Sequence, residues 1–168
     1  TAAEKADWRT RVGGGTLSPG AAIDSVMRSD GVDRIGAITR LYRAYFLRPP
    51  DAAGLRYWAG RTRTGMSINA ASTFFAASPE FRARYGALGD QGFVRLVYRN
   101  VLDRNPDGAG LTYWVDRLRT GTGRGRLMTL FSEAPENVTR HRHATDVLLV
   151  VHLLLDRAPT AEERSFLE

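Results

Sequence analysis

The chain reads YRAYFLRPPDAAGLRYWAGRTRTG over residues 42–65 and YRNVLDRNPDGAGLTYWVDRLRTG over residues 98–121. These stretches align without a gap at a shift of 56 residues, and between residues 42 and 80 the two copies share 18 of 39 positions. Unrelated segments do not agree to this extent by chance. We therefore infer that a unit of this length was duplicated, and a fixed period of this size is typical of helical repeat architectures.

Both ends of the chain resemble parts of the same unit. Asp7-Trp8 aligns with Tyr57-Trp58 at a shift of 50, and residues 150–156 align with residues 97–103 at a shift of 53. We expect a partial N-terminal repeat at residues 1–32, full repeats at 33–89 and 90–142, and a partial C-terminal repeat at 143–168. Because a repeat buries its apolar face against its neighbour, we expect all four to form one structural domain.

The local sequence pattern of each unit is helical. Apolar residues recur at spacings of three and four from about Asp33 to Leu47, and again from Asp90 to Leu102, which predicts one buried stripe per helix. Two shorter helices are expected to start near Ser67 and near Ser78. The pattern predicts an all-α protein made of tandem repeats of about four short helices each, packed as one compact bundle.

Residues suited to helix ends occur at matching places. Asp51 and Asp107 follow a proline and are predicted N-caps of the second helix in each unit, and Thr160 occupies the same place near the C-terminus. Gly65 and Gly121 are predicted to close that helix in the position after its C-cap, where glycine is common.

Composition excludes several classes of protein. The chain has 168 residues, 43% hydrophobic and 25% charged, which is typical of one globular domain. With no cysteine, it has no disulfide, thiol nucleophile or thiolate metal site. No apolar run approaches the ~20 residues of a membrane span. The chain starts at Thr1 without a charged n-region or an apolar h-region, so we expect any signal peptide to be absent or already removed, and the chain to be processed or an excerpt of a longer one.

The charge balance is basic, with 24 Lys and Arg against 18 Asp and Glu, a formal net charge of +6. Only Lys5 is lysine, a bias that GC-rich codon usage explains. The densest basic stretch is residues 117–126, which suits nonspecific binding of a phosphate-bearing polymer. Acidic residues are interspersed and no helix has a sustained basic face, so we rank binding of nucleic acid or another polyanion as a second alternative.

The most suggestive side chains are the aromatic pairs of the second helix. Neighbours on a helix point about 100° apart, so one ring can face the core while the other reaches the rim. A ring at the rim with an arginine nearby suits contact with a sugar or with a partner's side chain. We favour the alternative, in which both rings pack between helices. The candidate contact residues are Tyr57, Trp58, Arg61, Tyr113, Trp114 and Arg117.

No pattern for catalysis or metal binding is complete. Asp103, Asn105 and Asp107 match the start of a calcium loop, but Trp114 stands where a bidentate glutamate is required. The three histidines lack partners at metal-ligand spacing. We therefore predict no catalytic residue, no metal site, no cofactor and no enzyme activity.

The second unit resembles the bacterial domain-of-unknown-function family 4214. The residues that carry this resemblance are Tyr98-Arg99, Arg104, Pro106-Asp107, Gly110-Leu111 and Tyr113-Trp114. Ser78-Pro79-Glu80-Phe81 fits the last element of the family pattern, whereas Ala134 and Asn137 depart from it in the second unit. A fainter likeness is to the helical linker domains of phycobilisomes.

This resemblance implies tandem copies in a bacterial secreted or cell-surface protein and assigns no catalytic residue. The expected partner is a protein or a neighbouring domain of the same polypeptide, and a glycan is the first alternative.

Overall fold

The computed structural model describes residues 2–18, 20–21, 25, 29–155, 160 and 162. These residues contain helices and no strand, which confirms the all-α prediction. The helices with described bounds are α1 (Ala2–Gly13), α2 (Asp30–Phe46), α3 (Ala52–Arg63), α4 (Ile68–Ala76), α5 (Pro79–Tyr85), α6 (Asp90–Leu102), α7 (Gly108–Arg119), α8 (Arg124–Ser132), α9 (Pro135–Arg140) and α10 (Arg142–Leu155).

The first helix of each sequence unit ends in the same unusual backbone conformation. Leu47 follows α2 with φ 53°, and Asp103, 56 positions later, follows α6 with φ 52°. In each case the backbone N–H of this residue still donates to the carbonyl four residues earlier, in Arg43 or Arg99. The left-handed turn redirects the chain toward the proline and the next helix. The predicted start of α2 at Asp33 was three residues late, because the helix begins at Asp30.

The next helix starts on an aspartate in both units. Asp51 Oδ1 accepts a hydrogen bond from the Gly54 N–H at 2.6 Å, and Asp107 Oδ1 accepts one from the Gly110 N–H at 2.6 Å. Each bond satisfies a backbone donor that has no partner within the helix. Two later helices start on serines that cap in the same way, Ser67 for α4 and Ser78 for α5.

That helix also ends in the same way in both units. Gly65 and Gly121 lie in the left-handed region with φ 99° and 105°. After α3, the Met66 N–H donates to the Arg61 carbonyl and the Gly65 N–H to the Thr62 carbonyl, the paired bonds of a Schellman motif. Equivalent bonds close α7. Most of the helix that Thr160 is predicted to cap lies outside the described residues, as do the side chain of Trp8 and residues 156–159, 161 and 163–168 of the last partial repeat.

One continuous core joins the two central units. Tyr45 of α2, Phe93 of α6 and Leu127 of α8 are fully buried in one cluster. Buried side chains of α4 belong to the same cluster. The closest packing is between α4 and α8, where a methyl group on Gly125 would lie 2.7 Å from the backbone nitrogen of Thr73. Only glycine permits this approach, so α8 reaches the backbone of α4 directly.

Short helix α9 forms despite two departures from the sequence pattern. Ala134 offers no side chain to cap the helix, but Pro135 occupies its first turn, where a missing N–H costs nothing. Asn137 replaces the Phe81 of the first unit and is buried. Its side-chain amide donates to the Ser132 carbonyl at 2.7 Å, so the polar side chain is satisfied within the core.

Candidate interaction surface

The aromatic pair of α3 is divided between core and solvent. Trp58 is half-buried and meets Phe75 edge-to-face, with ring centroids 4.9 Å apart. Tyr57 stands almost perpendicular to the Trp58 ring at 84° and is 58% exposed. The structure therefore differs from the favoured expectation that both rings pack between helices. The buried stripe of α3 is narrow, so a residue 100° away from Trp58 lies outside it.

The pair of α7 is divided in the same way. Trp114 packs against Phe131 with ring centroids 5.2 Å apart, and Tyr113 is 56% exposed. Phe131 is the counterpart of Phe75 at the shift of 56. The two tryptophans therefore have like surroundings.

Each unit has a second exposed apolar residue, on the helix after the tyrosine. Phe74 on α4 is 57% exposed, with its ring centroid 6.3 Å from that of Trp58. Leu130, its counterpart on α8, is 45% exposed. We call these four side chains, Tyr57, Phe74, Tyr113 and Leu130, the apolar rim.

An open cleft of about 440 Å³ lies between the end of α3 and the start of α4, lined by Arg61, Thr64, Gly65, Met66, Ser67 and Ala70. Arg61 lies one turn after Tyr57 on α3, and Phe74 lies one turn after Ala70 on α4, so cleft and rim adjoin. No described residue forms a hydrogen bond or ion pair with the Arg61 guanidinium. Arg117 is exposed at the matching place, one turn after Tyr113.

The arginine two residues before the repeated proline has structural partners in each unit. The Arg48 guanidinium lies 5.3 Å from the Tyr42 ring centroid and donates to both carboxylate oxygens of Glu80, at 2.9 and 3.0 Å. The hydrogen bond to Glu80 raises the pKa of Arg48 above its usual value. Arg104 lies 5.2 Å from the Tyr98 ring centroid in the second unit. These arginines therefore connect the α2–α3 and α6–α7 turns to the core.

The tyrosines of the pattern contact the glycines that follow the N-caps. A methyl group on Gly54 would lie 2.6 Å from the Tyr42 hydroxyl, and one on Gly110 would lie 2.8 Å from the Tyr98 hydroxyl. Burial raises the pKa of Tyr42, partly offset by a side-chain hydrogen bond with Trp58. The repeated Tyr and Gly were a signal of this contact in the sequence, but their spacing alone did not place one against the other.

The basic stretch at residues 117–126 is less available than its composition indicates. Arg124 donates to the Leu88 carbonyl at 2.7 Å and to Asp90 at 2.9 Å, and its guanidinium lies 5.1 Å from the Phe93 ring centroid. Arg119 lies 3.7 Å from Asp116 on the same helix. The glycine-rich turn is thus fastened to α6 by one of its own arginines.

The described part of the chain has neither a cluster of metal-ligating side chains nor a helix able to span a membrane. No group of three or more His, Asp or Glu side chains there lies close enough together to hold a metal ion. Asp107, from the calcium-like string, uses Oδ1 to cap α7. The side chain of His152 lies outside the described residues. No described helix combines the length and the apolar character that crossing a membrane requires.

Comparison with known sequences gives one match. Residues 71–141, from within α4 to the residue after α9, match the sequence model of a family described as "Domain of unknown function (DUF4214)". The match includes Tyr113, Trp114 and Arg117 but not the first aromatic pair. No curated protein and no solved structure shows significant similarity to the chain. The segment of residues 71–141, which contains the Asp107-capped α7 and the divided Tyr113-Trp114 pair, is thus similar to the DUF4214 family.

Proposed function

We propose that the chain is a non-catalytic helical module of a bacterial secreted or cell-surface protein. It binds a partner protein, or a neighbouring domain of its own polypeptide, through the apolar rim. The observation that carries the proposal is the matched exposure of Tyr57 and Tyr113, each beside a half-buried tryptophan. Exposed apolar side chains are candidates for interaction sites, in which tyrosine is enriched.

The rim favours a protein over a glycan. Sugars stack on flat aromatic faces, but the Tyr57 and Trp58 rings are inclined by 84° and the Trp58 and Phe74 rings by 55°. In the second unit Leu130 replaces the ring of Phe74. The two positions share apolar character rather than planarity, which suits the side chains of a protein.

The bonding of the basic stretch at residues 117–126 favours a protein partner over a polyanion. Arg124, within the basic stretch, donates hydrogen bonds to the Leu88 carbonyl and to Asp90. Binding of nucleic acid through the remaining exposed arginines requires an affinity that falls steeply with salt, whereas apolar contacts do not.

A random-peptide display selection on the whole chain tests the proposal. Enriched peptides are synthesised and titrated against the wild type and a quadruple variant, Tyr57→Ser, Phe74→Ser, Tyr113→Ser and Leu130→Ser. Circular dichroism and the melting temperature report whether the variant is folded. Val147→Ser, at another exposed apolar position, is the matched control.

We expect at least tenfold weaker peptide binding by the quadruple variant and unchanged binding by Val147→Ser. Equal binding by the folded quadruple variant, or a selection without enrichment, contradicts the proposal. A panel of bacterial polysaccharides is titrated in parallel. Binding of a polysaccharide that depends on Tyr57 and Tyr113 replaces it with the glycan alternative.

The proposed location rests on the family resemblance and has a separate test. The full-length gene product is followed by immunoblotting in fractions of the source bacterium. The proposal expects it in the culture medium or the surface fraction, and retention in the cytoplasm contradicts this part alone.

A further inference from the structure

We infer that the cleft between α3 and α4 receives an acidic side chain of the partner, an Asp or Glu adjacent to an apolar residue that seats on Tyr57 and Phe74. The inference rests on the proposed function and adds the chemistry of the partner segment. Its starting point is the guanidinium that lines this cleft, that of Arg61.

The hairpin formed by α3 and α4 carries only positive charge. Residues 52–77 contain Arg56, Arg61 and Arg63 and no Asp or Glu. The matching residues 108–133 contain Asp116 and Glu133 among their arginines. A cationic surface without acids attracts an anionic partner and repels a basic one, which sets specificity more than bulk affinity.

The bonding state of Arg61 differs from that of arginines nearer the core. Arg40 donates from Nε to Glu133 at 2.9 Å, and Arg48 forms a paired contact with Glu80. The guanidinium of Arg61 has no partner among the described residues, although it borders a cleft. A free guanidinium matches a carboxylate through two parallel N–H donors.

The rest of the cleft supplies a second donor and apolar walls. Ser67 Oγ accepts the N–H of Ala70, so the hydroxyl proton of Ser67 is free to donate to a bound carboxylate. Thr64 directs its hydroxyl proton at the carbonyls of Gly60 and Arg61. Met66 and Ala70 add apolar surface beside the aliphatic part of an entering side chain.

The experiment is a double-mutant cycle between the chain and a peptide. Peptides enriched on the wild-type chain are synthesised with their acidic residues intact and with each Glu or Asp replaced by Gln or Asn. Fluorescence anisotropy gives the affinity of both forms for the wild type, Arg61→Gln and Arg61→Lys. Arg95→Gln, an exposed arginine of α6 outside the cleft, is the matched control.

We expect acidic residues beside Leu, Phe or Trp in the enriched peptides, and about tenfold weaker binding on Arg61→Gln. Arg61→Lys should restore part of the affinity, and Arg95→Gln should bind as tightly as the wild type. The amide peptide should bind the wild type and Arg61→Gln with equal affinity. Enriched peptides without acids, or an amide substitution without effect, overturn the inference.

Failure of this inference is distinguishable from failure of the proposed function. Binding that is lost in the quadruple rim variant but unchanged by Arg61→Gln retains the proposed function and rejects the acidic contact. Binding that survives the rim variant rejects both. A uronic-acid oligosaccharide is titrated under the same conditions. If it binds more tightly than the peptides, and if that binding depends on Arg61, the ligand of the cleft is an acidic glycan and not an acidic peptide.

Discussion

The hydroxyl of Ser72 donates a hydrogen bond to the carbonyl of Gly125 at 2.7 Å, across the contact between α4 and α8. The Tyr45 hydroxyl lies 2.9 Å from Ser72 Oγ and completes a buried chain of polar groups. Burial raises the pKa of Tyr45 and keeps it neutral. The two sequence units are thus joined by a satisfied polar contact as well as by apolar packing.

Gly125→Ala should destabilise the fold. The added methyl group meets the backbone of Thr73, which cannot move as the end of a side chain can, and such overpacking costs about 1–3 kcal/mol. For a chain of this length we expect the melting temperature to fall by roughly 3–10 °C. Gly60→Ala is the control, because a methyl group there meets nothing within 4 Å. It should stabilise α3 by up to ~1 kcal/mol. If the two substitutions change the melting temperature equally, the close approach of α8 to the backbone of α4 is not the reason for glycine at position 125.

The contact between Tyr42 and Gly54 should appear as an energetic coupling. Gly54→Ala places a methyl group against the Tyr42 hydroxyl, and we expect a loss of about 1–3 kcal/mol. Tyr42→Phe removes the obstructing oxygen, so the same Gly54→Ala change should cost less in that background. Urea unfolding of the two single variants and the double variant gives the coupling. If the changes in unfolding free energy of the two single variants are additive in the double variant, the contact with Tyr42 is not the reason for glycine at position 54.

Local chemistry in the sequence was enough to place the ends of α3 and α7. Asp51, Asp107 and Gly65 act on backbone atoms within a few residues, so their types and spacing carry the information. The division of Tyr57 from Trp58 was not predictable in the same way, because it depends on how much of α3 the neighbouring helices cover. The sequence pattern offered both arrangements, and we favoured the wrong one.

Long-range contacts were the least accessible from sequence. Arg124 lies in a glycine-rich stretch that suggests a polyanion surface, yet its partners, Leu88 and Asp90, are more than 30 residues away. The cleft beside Arg61 is likewise formed by two helices and a turn. Their relative placement follows from tertiary packing rather than from any motif.

Leu47→Asn should stabilise the protein. Leu47 holds φ 53° with its side chain 53% exposed, so it bears the strain of the left-handed region without burying much apolar surface. This conformation costs a β-carbon-bearing residue roughly 1–2 kcal/mol, and less for asparagine. We expect a gain of about 0.5–1 kcal/mol in urea unfolding. Leu47→Ala has the same backbone restriction as leucine and should give no gain; a gain equal to that of asparagine would refute the strain explanation.

Thr145→Val should also stabilise the protein. Thr145 is 3% exposed on α10, and its hydroxyl has no hydrogen-bond partner among the described residues. Replacing it by a methyl group removes a buried polar group without changing the shape, for a gain of about 1 kcal/mol. Thr39→Val is the matched control, because Thr39 is equally buried but donates to the Ile35 carbonyl at 3.0 Å. It should be neutral or destabilising, and the reverse order of the two variants would contradict the prediction.

His141 should make the stability of the fold depend on pH. Burial, followed by the nearby charges of Arg43, Arg140 and Arg40, lowers the pKa of His141 in the folded chain. The unfolded chain therefore binds the proton more tightly. The stability that comes from a neutral His141 is fully present above its ordinary pKa of about 6.5, and is lost as the pH falls from there through the lowered folded-state value. Urea unfolding from about pH 8 to about pH 5 should show this decline in the wild type. His141→Gln should flatten it, whereas His143→Gln, at an exposed position on α10, should leave it in place; the same slope in all three proteins would exclude His141 as its source.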